Sequence, residues 1–134
     1  VPAGRVPRLV AAAQPAVAAA PAIELRLAHG GRFGTRRRPQ VAWVGVEGDV
    51  AALTELATRL ADVARAERLE VEERPFRPHL TLGRWRPGRP ADGALVDRLS
   101  GHAGPVWPVL QVRLVESRLG RSPAYETVAA WPLP

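Results

Sequence analysis

The 134-residue sequence contains no cysteine, no methionine and, since all 19 of its basic residues are arginine, no lysine. The missing cysteine excludes disulfides, thiol nucleophiles and thiolate metal sites, and it is compatible with a reducing compartment. No apolar run approaches the roughly 20 residues that span a bilayer, and no signal-peptide pattern opens the chain. The expectation is a soluble, cytoplasmic protein. The chain starts at Val1-Pro2-Ala3-Gly4 without an initiator methionine, which suggests a fragment or a trimmed product.

Apolar residues make up 46% of the chain, enough to bury a core and outside the range of disordered segments. The length suits one compact domain, and residues 1–134 are read as a single one. A net charge of +6 and a pI near 11.4 favour anionic partners, with nucleic acid first. Arginine suits that role because its planar fork meets phosphate in bidentate fashion. A solvated basic surface is the alternative reading of the same charge.

Hydrophobic periodicity predicts the elements. Val6, Leu9, Val10, Ala13 and Val17 recur at helical spacing, with Pro7 in a first turn and Pro15 expected to interrupt the helix. Residues 23–27 alternate as a strand and meet His29-Gly30-Gly31, read as a turn opening a loop that carries Arg36-Arg37-Arg38. A second strand is predicted over residues 41–46. Asp49 is the predicted N-cap of a helix that presents Leu53, Leu56, Leu60, Val63 and Ala64 on one face and runs to about Glu67. Pro75 and Pro78 hold the chain extended before a strand over residues 79–84. Then come a loop over residues 86–93, a short helix over 94–99, and strands over 109–117 and 125–131 that form a hairpin around 120–123. This order predicts an α+β domain with helices outside antiparallel sheet.

The chemistry centres on His79-Leu80-Thr81-Leu82. Strand alternation puts the His79 imidazole and the Thr81 hydroxyl on one face and the two leucines on the other. Histidine moves protons near neutral pH, and a threonine hydroxyl donates to phosphate oxygen. Arg84 near one end of the strand and Arg77 near the other supply positive charge. Alone, a His-x-Thr tripeptide says little, because a histidine satisfied within a sheet is common. Phe76 can stack on a base or pack as core. Trp43 reads as packing or wall, Tyr125 and Ser117 as cleft or hairpin residues, and Arg36 to Arg38 as RNA-backbone contacts or solvated surface. His29 and His102 read as turn and helix-end residues.

The longer string Arg74-Pro75-Phe76-Arg77-Pro78-His79-Leu80-Thr81-Leu82-Gly83-Arg84 resembles the second signature of the 2H phosphoesterases, in particular the LigT-like RNA 2',3'-cyclic phosphodiesterases once called 2'-5' RNA ligases. Gly31-Arg32-Phe33-Gly34 with residues 39–46 is similar to that family's middle segment, and Leu114 to Leu119 with Tyr125 to Val128 to its closing hairpin. The resemblance implies a bilobal α+β fold, with antiparallel sheets lining a basic central cleft and helices outside. Each lobe of the family supplies one His-x-Thr-x motif, and this chain contains one. His29 and His102 are followed by Gly30-Gly31 and Ala103-Gly104, so neither provides the second. The expectation is a domain incomplete at its N-terminus, with the first motif upstream of Val1.

By the same resemblance, His79 and Thr81 are catalytic, and Arg84, Arg77 and Phe76 bind substrate. No metal or cofactor is required. The substrates implied are RNA ends or cyclic nucleotides bearing a 2',3'-cyclic phosphate, hydrolysed to 2'-phosphomonoesters by two-histidine acid/base catalysis, with reverse 2'-5' ligation as a side activity. A monomer is expected. The rival reading is a binding module of the same fold without turnover.

Overall fold

The computed structural model describes residues 1–35, 38–90 and 92–134, without the side chain of Pro39. The expected loop arginines Arg36 and Arg37 lie outside the described residues. Two compact units emerge: Val1–Ile23, Ala51–Phe76 and Val109–Pro134 form one, and Glu24–Val50 with Arg77–Pro108 the other. All strand pairings are antiparallel, as the α+β expectation requires.

The first unit holds α1 (Val6–Ala18), most of α2 (Val50–Ala66), and a two-stranded sheet of β5 (Gln111–Arg118) and β6 (Ala124–Pro132). A 3-10 turn at Ala3–Arg5 leads into α1, with Pro7 at the helix start. Pro15 does not interrupt α1, contrary to expectation. It lies in the last turn, so only one backbone bond is forfeited and few residues remain to be displaced. Ala13, Val17, Ala20, Ile23 and Leu56 are buried. Leu53, Leu56 and Leu60, the predicted apolar face of α2, line an apolar cavity of about 240 Å³ together with Ile23, Val109 and Val112.

The second unit is built on a four-stranded sheet. Its strands are β1 (Glu24–Gly34), β2 (Pro39–Gly48), β3 (His79–Arg84) and the two-residue β4 (Trp107–Pro108), in the order β3-β2-β1-β4. Helix α3 (Gly93–Ser100) packs on β1 and β2. The Asp92 carboxylate caps α3 by accepting from the N–H groups of Ala94 (3.0 Å) and Leu95 (3.2 Å). Asp49 immediately precedes α2, at the predicted cap position, and its carboxylate accepts from the Glu24 N–H at 2.8 Å, tying the end of β2 to the start of β1.

The predicted turn at His29-Gly30-Gly31 is instead a bulge inside one long strand. Pairing shifts between Ala28↔Gly45 and Gly31↔Trp43, three residues on β1 against two on β2. His29 takes the left-handed backbone conformation (φ 53°), which histidine adopts more readily than most side chains. Gly30 follows because a Cβ there would meet the Trp43 carbonyl and lie 2.8 Å from the Val44 Cα. The turn composition is legible, but the backbone kinks and goes on pairing.

Candidate active site

Strand β3 is the edge strand next to β2, and all six of its residues are exposed. Its register on β2 is His79↔Gly45, Leu80↔Val44 and Thr81↔Trp43, then Gly83↔Ala42 and Arg84↔Val41. Directly paired residues project to the same face of an antiparallel sheet. His79, Thr81, Trp43 and Gly45 therefore share one face, as the period-two reading predicted for the histidine and threonine.

Arg84 is the less obvious case. Strict alternation from His79 would turn it to the opposite face, since five residues separate the two. Leu82 is an extra residue on β3, where two steps oppose one on β2, and a bulge of this kind resets the alternation. Arg84 thereby pairs with Val41, which lies two residues from Trp43 and so on the His79 face. The sheet puts His79, Thr81 and Arg84 of the predicted site on one face. Leu80 and Leu82 remain 47% and 53% exposed.

Arg77 contributes through its backbone: its carbonyl accepts from Nδ1 of His79 at 2.6 Å. A carbonyl only accepts, so this bond requires the ring proton on Nδ1 and leaves the Nε2 lone pair free in the neutral imidazole. The Arg77 side chain is exposed. Phe76 belongs to the first unit and is 47% exposed. Ser117 and Tyr125 pair with each other in the β5–β6 hairpin.

Two aromatics surround the imidazole. Phe33 stacks on Trp43 with centroids 5.2 Å apart and an interplanar angle of 27°. His79 meets Phe33 edge to face at 5.0 Å and 88°, and Trp43 at 6.5 Å and 70°. The wall reading of Trp43 is consistent with this. Phe33 was not singled out from the sequence, because only its pairing with Val41 puts it on the His79 face.

The same face continues into a polar cluster that sequence reasoning missed. Arg26 donates to Glu47 Oε2 through Nε (3.2 Å) and a terminal nitrogen (2.8 Å), and His29 Nε2 lies 3.3 Å from Glu47 Oε1. Nδ1 of His29 faces the Ser100 carbonyl at 3.1 Å, and its backbone N–H donates to the His102 carbonyl at 2.9 Å. His29 is thus engaged with the α3 end and the β1 bulge, and these groups are exposed enough to contribute little stability. Among the described residues no three of His, Cys, Asp and Glu form a metal-sized cluster.

The arrangement offers a histidine of defined tautomer, a hydroxyl donor and a guanidinium on one open face, a set suited to proton transfer at a phosphate ester. A family model described as the 2'-5' RNA ligase superfamily matches residues 1–121. The chain is 33% identical over 134 residues to an RNA 2',3'-cyclic phosphodiesterase from Geobacillus stearothermophilus, covering 99% of this chain and 42% of that protein. It thus spans under half the length of that curated relative. Among solved structures, a Thermus thermophilus protein matches with a TM-score of 0.74 at 26% identity, covering 99% of this chain and 72% of that one. Escherichia coli LigT complexed with 3'-AMP shares the fold, with a TM-score of 0.72 at 23% identity over 99% of this chain and 71% of that one.

Proposed function

The chain belongs to the 2'-5' RNA ligase superfamily, and from that premise we propose that it serves an RNA 2',3'-cyclic phosphodiesterase, with His79 as one of its two acid/base groups. The observation that carries this reading is the shared face of His79, Thr81 and Arg84, together with the Nδ1 bond to the Arg77 carbonyl that frees Nε2. The name and 33% identity of the Geobacillus relative support the substrate class.

In this scheme Nε2 of His79 takes a proton from water as the water oxygen attacks phosphorus. The P–O3' bond breaks, a second acid/base on the far side gives a proton to O3', and a 2'-phosphomonoester remains. In-line displacement demands that the two groups lie on opposite sides of phosphorus. Thr81 donates to a nonbridging oxygen while Arg84 balances its growing charge, with Arg77 and Phe76 as further substrate contacts. When a 5'-hydroxyl attacks phosphorus in place of water, the P–O3' bond breaks in the same way and the same groups join RNA ends by a 2'-5' bond. The expected source of the second group is another His-x-Thr-x segment outside residues 1–134, which the gene sequence upstream of Val1 would reveal. The reading extends to RNA-end processing by a cytoplasmic monomer.

The test is turnover of RNA ending in a 2',3'-cyclic phosphate by the natural full chain and its His79→Ala variant. Loss of one acid/base group lowers the rate by about 10²- to 10⁴-fold. Because His79 is exposed on an edge strand, the substitution leaves folding intact. Equal turnover by the two proteins overturns the assignment. The single His-x-Thr-x string within residues 1–134 favours a second reading, a binding module of the same fold; RNA binding without turnover by the wild type would select it.

A further inference from the structure

His79 presents a physical problem: it stands on an edge strand whose every residue is exposed, so burial does not hold its ring. The Nδ1 bond to Arg77 fixes the tautomer, but a ring held by one hydrogen bond can still swing about it. The remaining constraint is aromatic, and glycines create the space for it. A Cβ on Gly31 would lie 3.4 Å from Cζ2 of Trp43, and one on Gly45 3.5 Å from Cζ3. The indole therefore lies across a strip of sheet stripped of side chains. Phe33 stacks on that indole and puts its ring 5.0 Å from the His79 imidazole, nearly perpendicular to it, a favoured geometry for ring pairs.

We infer that Phe33, seated on Trp43, is a positioning residue that sets the rotation of the His79 ring and so the direction of Nε2. Phe33 touches no reacting atom in this account. It acts through the imidazole, and Gly31 and Gly45 act through Trp43. The inference rests on His79 being an acid/base only for its kinetic consequence; the ring placement stands on the ring geometry alone.

The experiment pairs nitrogen-detected NMR of the histidine rings with kinetics, using wild type, Phe33→Leu and Phe33→Tyr. His79→Asn identifies the His79 signals among the three histidines. In the wild type, His79 should show the Nδ1-protonated tautomer, and its carbon-bound ring protons should be displaced by the Phe33 ring current. Phe33→Leu, which keeps an apolar side chain but no ring, should lose the displacement, and Phe33→Tyr should keep it. In the natural full chain, Phe33→Leu should lower kcat on cyclic-phosphate RNA by about 10- to 100-fold with KM nearly unchanged, as expected when a catalytic group is misplaced while substrate binding is intact. Phe33→Tyr should rescue kcat.

Wild-type His79 protons without a displacement overturn the inference before any variant is made, so it stays falsifiable even if Phe33→Leu misfolds. So do His79 signals that are identical in wild type and Phe33→Leu. If the wild type fails to turn over cyclic phosphate, the functional reading falls, while the NMR result still decides where Phe33 holds the ring.

Discussion

Exchanging the residues at positions 83 and 84, by the double substitution Gly83→Arg and Arg84→Gly, separates two geometries for the phosphate site. If β3 alternated strictly, an arginine at position 83 would join His79 and Thr81 on one face and the exchange would preserve or improve phosphate binding. The observed pairing of Gly83 with Ala42 and of Arg84 with Val41 puts position 83 on the opposite face. An arginine is sterically tolerated there, since nothing lies within 4 Å of a Cβ on Gly83. The exchange should therefore cost what removing Arg84 costs. A charge-assisted hydrogen bond contributes about 1.5–3 kcal/mol, and each 1.4 kcal/mol is about tenfold, so KM for RNA ending in a 2',3'-cyclic phosphate should rise about 10- to 100-fold. Steady-state kinetics on wild type, the Arg84→Gly single variant and the double variant provide the assay. Equal impairment of both variants supports the bulge at Leu82. Wild-type KM in the double variant alongside an impaired single variant refutes it, and an unimpaired Arg84→Gly refutes the phosphate role of Arg84.

His79→Ala should reduce turnover by about 10²- to 10⁴-fold without lowering the urea midpoint. Phe33→Leu should act on kcat, and Phe33→Tyr should restore it. Gly30→Ala should destabilise the protein by about 1–3 kcal/mol in urea denaturation, because its Cβ would press on the backbone of Trp43 and Val44, which cannot rotate away as a side chain would. Asp92→Ala should cost about 1 kcal/mol and speed amide exchange at Ala94 and Leu95, the two N–H groups that the carboxylate satisfies.

Local pattern was sufficient for much of the fold. Helical spacing marked α1 and α2, paired prolines marked the approach to β3, and turn residues between two alternating runs marked the β5–β6 hairpin. Each of these signals lies within a few residues of its effect. The failures have the opposite character. Pro15 is accommodated because of its place in the last turn of α1, the turn signal at His29-Gly30-Gly31 becomes a bulge because β1 goes on pairing with β2, and the two residues of β4 are too few to carry a period.

The sequence by itself determined the chemistry on offer near the edge of the sheet: an imidazole, a hydroxyl two residues on and a guanidinium three residues beyond that, in a string similar to one family's signature. Tertiary structure alone decided which of these groups face the same way. A side chain's face in a sheet depends on cross-strand register, and bulges reset that register, among them one at His29-Gly30 and one at Leu82. The first lets Trp43 lie over Gly31 with Phe33 stacked on it; the second puts Arg84 on the same face as His79. Both are settled by pairing between residues far apart in the chain, where no local periodicity reaches.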